Sequence, residues 1–178
     1  MTADRLTHLP ADLAPQLVPL GWLLGTWRGV GVGGAPESGD YRFGQEVTFS
    51  SDGRDFLAYD SRTWLLDDEG NEVRPHEREA GYWRPAAQGP GEEARPAGVE
   101  LEVVLASERG VVEIYVGRAE GARIELSTDV VARTASAEPY AAGHRLYGQV
   151  EGDLLYAYDS APGETPLRPH LSARLRRS

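Results

Sequence analysis

Side chains that alternate between apolar and polar dominate this chain from about Leu24 onward, and a period of two marks strands with two unlike faces. YRFGQEVTFS sets Tyr41, Phe43, Val47 and Phe49 on one face and Arg42, Glu46 and Thr48 on the other. GVELEVVLAS, GVVEIYVGRA and RIELSTDVVA read as three short strands joined by the turn-like SERG and AEGA, and YGQVEGDLLYAY as a hairpin about Glu151-Gly152-Asp153. LLGTWRGVGVG, DFLAYDSRTWLL, EAGYWRP and HLSARLRR bring the count to about ten strands, at the spacing of a sandwich or an up-and-down barrel. Only the opening differs. PADLAPQLVPLGWLL carries Leu13, Leu17 and Leu20 at helical spacing, which predicts a short helix capping one end, and the Pro- and Gly-rich AAQGPGEEARPAG reads as a loop. The expectation is an all-β protein: an antiparallel up-and-down β-barrel of about ten strands with a short N-terminal helix, divided into an extension over 1–17 and a barrel domain over 18–178. No internal repeat stands out. Barrels of eight or more strands often enclose a small ligand, because side chains alone fill so wide an interior poorly.

Composition narrows the partners. A formal charge of -10 over 178 residues disfavours general affinity for nucleic acid or anionic membrane. The chain has no cysteine, which removes disulfides, thiolate metal sites, thiol catalysis and covalent heme attachment through C-x-x-C-H. MTADRLTHLPADLAP lacks the basic start and apolar run of a secretory signal, and no apolar stretch approaches bilayer length, so a cytoplasmic protein is expected.

The first strand poses the sharpest question. Gly25, Trp27, Gly29, Gly31 and Gly33 alternate along one face of LGTWRGVGVGG, with Thr26, Arg28, Val30 and Val32 on the other. A run of strand glycines means that something approaches the backbone closely. A dinucleotide fingerprint fails, because no helix and second parallel strand follow. Two readings stand side by side: a strongly bent barrel strand with Trp27 plugging the bottom, and direct contact with a ligand.

G-T-W-R-G-V-G resembles the G-x-W-x-G-x-G motif of the nitrobindin family, ten-stranded β-barrels that bind non-covalent heme b and share the shape of fatty-acid-binding proteins. The likeness continues in order through YRFGQEVTF, FLAYDSRTW, EAGYWRP, VEIYVG, LSTDVVA, LLYAYD and PLRPHLSARLRR, covering the chain from about Val18 onward. The resemblance implies one heme b per subunit whose iron is held by the histidine of the terminal P-H-L segment, here His170, with Gly25, Trp27, Gly29, Gly31 and Glu37 as further cofactor contacts. Imidazole suits the role: one nitrogen offers a lone pair to iron while the other fixes the ring, and Pro169 restricts the backbone before it. Period two alone sets His170 with Ser172, Arg174 and Arg176, opposite the apolar Leu171, Ala173 and Leu175. A proline-induced irregularity, or a place at the open mouth, would reconcile this with the family role.

Two positions depart from the family pattern. Aligning on Tyr41 matches Pro36 to the proline of a tyrosine-proline-threonine run and puts Glu37 at the threonine that lies against the heme. Glu77 occupies the place of a family histidine before E-x-G-Y, with His76 one residue earlier. A shift of one residue turns a strand side chain to the other face, so His76 is given no distal role. His8 and His144 read as loose or surface residues, and Asp67-Asp68-Glu69 and Glu92-Glu93 as solvated turns and loops. Arg168, Arg174, Arg176 and Arg177 fit the outer or rim side of the last strand, from which some can meet heme carboxylates.

The activity that the resemblance implies is isomerisation of peroxynitrite to nitrate on ferric heme, with nitric oxide as a further ligand and His170 as the catalytic and metal-binding residue. No paired carboxylates or nucleophile triad compete with that reading. The rival is a non-catalytic carrier of a fatty acid or other apolar ligand, in which Arg62 or Arg145 with Tyr59 or Tyr147 would meet a carboxylate. A third reading is a heme or nitric-oxide sensor acting through a partner. Nucleic acid and membrane are not expected partners, and assembly as a homodimer is left open.

Overall fold

Closing a sheet on itself removes both unpaired edges, and the strands of this chain do so completely. The computed structural model describes residues 9–35, 39–87 and 98–178. Its strands are β1 (Gly25–Ala35), β2 (Gly39–Ser50), β3 (Leu57–Leu66), β4 (Glu72–Pro85), β5 (Val99–Ser107), β6 (Val111–Glu120), β7 (Arg123–Arg133), β8 (Ala142–Val150), β9 (Asp153–Ala161) and β10 (Arg168–Arg177). Each pairs antiparallel with its sequence neighbours, and β1 pairs with β10 to close the barrel. The expected up-and-down barrel is therefore the fold. The turns fall where the sequence puts them; between β8 and β9, for instance, Glu151 and Gly152 both take positive φ (55° and 87°), the geometry of a tight two-residue hairpin.

One end is closed. A 3₁₀ helix, Pro15–Leu23, runs across the expected 17/18 boundary and buries Leu17, Leu20 and Leu23 completely. Helical spacing in the sequence suggests Leu13, Leu17 and Leu20 as the buried stripe. Pro15 and Pro19 withhold amide donors, the helix takes a period of three, and Leu23 joins the stripe while Leu13 packs beside it from outside the helix. Against these leucines sit Trp27, Phe49, Leu57, Trp83, Leu101 and Ile124, all essentially without solvent contact. Trp27 donates its indole N–H to the Leu23 carbonyl at 2.7 Å. The Arg177 guanidinium lies 4.1 Å over the Trp27 ring and donates to the carbonyls of Leu24 and Trp22. The closing arginine of the chain is thus a staple on the closed end. Arg174 pairs outside with Asp153 at 2.6 Å, and Arg168 lines the opposite, open end.

The glycines of β1 have an answer in the protein itself. A Cβ on Gly31 would collide with the Phe43 ring, and one on Gly33 with the Tyr41 ring. Aromatic side chains from β2 press against the β1 backbone, and only glycine leaves them room.

Candidate functional site

Moving from the closed end toward the mouth, the barrel interior changes from aromatic and aliphatic to polar. In the middle layer Arg145 of β8 grips Glu79 of β4 with parallel hydrogen bonds of 2.7 and 2.6 Å, and its third nitrogen donates to the Tyr115 hydroxyl at 2.9 Å. Glu113 of β6 accepts from Tyr115 at 2.5 Å and from Tyr140, and stands 3.4 Å from Arg145. Beside this cluster Tyr156 donates to Gln45, which donates to Ser61 at 2.9 Å. Burial raises the phenol pKa values of Tyr59, Tyr115, Tyr140, Tyr147 and Tyr156, so these hydroxyls stay protonated at neutral pH.

Above that layer stands His170. Pro169 faces Asp159 and Leu171 faces Tyr158, leaving His170 between them without a cross-strand partner. This is a β-bulge, and it follows a residue that has no N–H to give to a ladder. The extra residue breaks the alternation: Ala173 and Leu175 point inward and Ser172, Arg174 and Arg176 outward, while the His170 ring is half-buried and meets the Tyr158 ring edge-on at 5.4 Å. Burial holds its pKa below the ordinary 6.5, partly offset by the Glu77 carboxylate and by a backbone hydrogen bond with Gly34. A half-buried imidazole kept neutral offers a nitrogen lone pair, the form in which histidine holds metals.

His76 occupies the same mouth. Between Arg62–Arg78 and Trp64–Pro75 the register of β3 and β4 shifts, so that Thr63 faces both His76 and Glu77, and Glu77 N–H donates to the Thr63 hydroxyl at 2.9 Å. This second bulge returns His76 to the interior, against the expectation that it faces outward. Its ring lies edge-on to Tyr41 at 5.2 Å, and its buried Nε2 finds no hydrogen-bond partner among the described residues. Burial lowers its pKa as well. The Glu77 carboxylate, 3.8 Å from that nitrogen, pairs instead with Arg109 at 2.9 Å. His170 lines a cleft of about 1310 Å³ that runs over the rim with Tyr41, Leu65 and Leu171, and His76 a neighbouring one of about 430 Å³ with Thr63 and Glu77. Two neutral imidazoles, one with an orphaned nitrogen, fit the donor chemistry of a heme site.

The other cofactor contacts expected from the sequence lie apart from His170. Gly33 pairs with Leu171, whereas Trp27 pairs with Arg177, six residues along β1 and about 20 Å away. Gly25 and Trp27 belong to the closed end, Gly29 abuts the β10 backbone, and Gly31 backs onto Phe43. Glu37 and His8 lie outside the described residues. His144 sits outside, 3.1 Å from Glu125. The carrier's candidate cations are occupied: Arg62 is exposed and paired with Glu46 at 2.8 Å, and Arg145 is held by Glu79.

Residues 16–177 match the family model of the THAP4-like, heme-binding β-barrel domain. A ferric nitrobindin-like protein of Kineococcus radiotolerans is 56% identical over 176 residues, covering 95% of this chain and 97% of its own. A peroxynitrite isomerase of Nocardioides sp. is 46% identical over 168 residues, covering 94% and 96%. The crystal structure of Rv2717c from M. tuberculosis superposes with a TM-score of 0.76 at 34% identity, covering 94% of this chain and 99% of that one. Among the described residues no helix is long and apolar enough to cross a membrane.

Proposed function

Because the chain belongs to the THAP4-like, heme-binding β-barrel family, we propose that it is a cytoplasmic protein that carries one heme b at the barrel mouth on His170, isomerises peroxynitrite to nitrate there and binds nitric oxide at the same place. Heme is the cofactor of the family. The observation that carries the reading is the bulge at His170: it breaks the strand alternation and half-buries a neutral imidazole against the Tyr158 ring. Relatives named peroxynitrite isomerase support the choice of substrate.

When bound, the heme supplies an iron that is a Lewis acid toward the peroxo oxygen and can exchange one electron with it. The residues of the chain do the rest. His170 would hold the iron and, being neutral at pH 7, would not surrender its lone pair to a proton. Tyr158 and Tyr41 wall the mouth with aromatic faces, which keeps reactive fragments together and away from water. The neutral imidazole of His76 supplies a polar nitrogen without adding charge. Isomerisation consumes no net proton, so the site needs no general acid, and the buried carboxylates Glu79 and Glu113 are engaged elsewhere.

The test is rapid mixing of peroxynitrite with heme-loaded protein. The expected result is decay that speeds up in proportion to loaded protein, with nitrate as the dominant product. Decay at the rate of buffer alone, or nitrite as the main product, overturns the isomerase reading.

A further inference from the structure

A file of phenols with no part in holding a cofactor runs from the His170 ring to a buried carboxylate. Tyr158 meets His170 edge-on at 5.4 Å and donates its hydroxyl to Tyr140 at 3.0 Å; Tyr140 in turn donates to Glu113. Gly143 makes this convergence feasible, since a Cβ there would collide with the Tyr140 hydroxyl and press on Tyr115 and the Tyr158 ring. Tyr115 also donates to Glu113, from a deeper layer, but other interior phenols end differently. Tyr156 stops at the amide of Gln45, and Tyr147 accepts from Arg145. An amide or a guanidinium has no site basic enough to receive the proton an oxidised phenol releases; an ionised carboxylate has.

Of the three phenols that lead to Glu113, Tyr158 is the one set against the His170 ring. The Arg145 guanidinium lies 4.6 Å over the Tyr158 ring, so a positive charge on that ring is strongly disfavoured. Tyr158 can lose an electron only if its proton leaves in the same event, and the file to Glu113 is the way out. We propose that Tyr158 is the oxidisable guard residue of the His170 site, quenching one-electron oxidants at the mouth by passing its proton through Tyr140 to Glu113. With nitrogen dioxide as oxidant the balance is simple. The radical takes one electron from Tyr158 and becomes nitrite. The Tyr158 proton moves to Tyr140 oxygen, the Tyr140 proton moves to the Glu113 carboxylate, and a neutral tyrosyl radical remains. A second nitrogen dioxide then adds to the ring carbon beside the oxygen, forming a C–N bond, and the ring proton leaves to give 3-nitrotyrosine.

The biological sense of this assignment rests on the reading of His170 as a heme ligand, but its chemistry can be tested without heme. The full chain, loaded and unloaded, is exposed to nitrogen dioxide generated by pulse radiolysis of nitrite, and nitration is mapped by peptide mass spectrometry. The variants are Tyr140→Phe, which cuts the file while leaving the Arg145–Glu79–Glu113 cluster in place, and Glu113→Gln, with Tyr156→Phe as control. The expected result is nitration concentrated at Tyr158, several-fold above the exposed Tyr82, and reduced about tenfold by Tyr140→Phe and by Glu113→Gln but not by Tyr156→Phe. Nitration of Tyr158 no greater than that of Tyr82, or unchanged in Tyr140→Phe, overturns the proposal. If hemin fails to bind while Tyr158 is still selected in the unloaded chain, the heme reading falls and the tyrosine assignment stands.

Discussion

Arg145 and Glu79 face each other across the barrel interior, β8 to β4, through two parallel hydrogen bonds of 2.7 and 2.6 Å. Glu113 adds a second carboxylate at 3.4 Å, so the cluster holds one cation between two anions. Replacing Arg145 with methionine keeps much of its bulk and leaves both carboxylates buried and uncompensated. Removing one partner of such a cluster costs about 3–5 kcal/mol. Urea unfolding should show that loss for Arg145→Met, and the double variant with Glu79→Gln should recover a part of it.

Residues at the closed end are engaged with one another, and we assign Arg177 to stability. Arg177→Ala removes a cation–π contact with Trp27 and two hydrogen bonds to carbonyls. Arg177 is partly exposed, which limits the loss to about 1 kcal/mol. For a domain of this size that corresponds to a fall in Tm of about 2–4 °C. The hemin spectrum should be that of the wild type.

Gly31→Ala separates the two meanings of the glycine run. A methyl group there meets the Phe43 ring and the Ser172 carbonyl, and overpacking of this kind costs about 1–3 kcal/mol. Thermal unfolding should record that cost, while hemin should still bind one to one at temperatures where the variant is folded.

The histidines set a pH window. Burial places the folded pKa values of both His170 and His76 below the unfolded value of 6.5. Above 6.5 the rings are neutral in both states and contribute no pH dependence. Below 6.5 the unfolded chain binds protons that the folded chain refuses, so stability declines as pH falls through that value. Proton NMR of the imidazole resonances in unloaded protein should give midpoints below 6.5 for both. Hemin affinity should stay flat from about pH 8 to 6.5 and weaken only below it.

Much of this molecule is legible in its sequence. Alternation over β5 and most of β6 is clean because one face of each strand is packed and the other wet, and Glu151-Gly152 announces its own turn. What alternation hides is its own exceptions. His170 reads as outward and His76 as misplaced by one residue, and each is returned to the interior by a bulge. Pro169 is the local sign of the first, and Pro75, directly before His76, is the matching sign of the second. Arg145 is visible as a cation among tyrosines, yet its carboxylate partners lie 66 and 32 residues away, beyond the reach of any local pattern. The phenol file from Tyr158 to Glu113 is hidden for the same reason, joining three separate segments of the chain.

That His170 holds the iron is the central claim, and one measurement addresses it: a hemin titration of purified protein followed by visible absorption, wild type beside His170→Ala. The expected result is a saturable one-to-one Soret band for the wild type that is lost or markedly shifted in the variant. Identical spectra and affinities for the two proteins would contradict it.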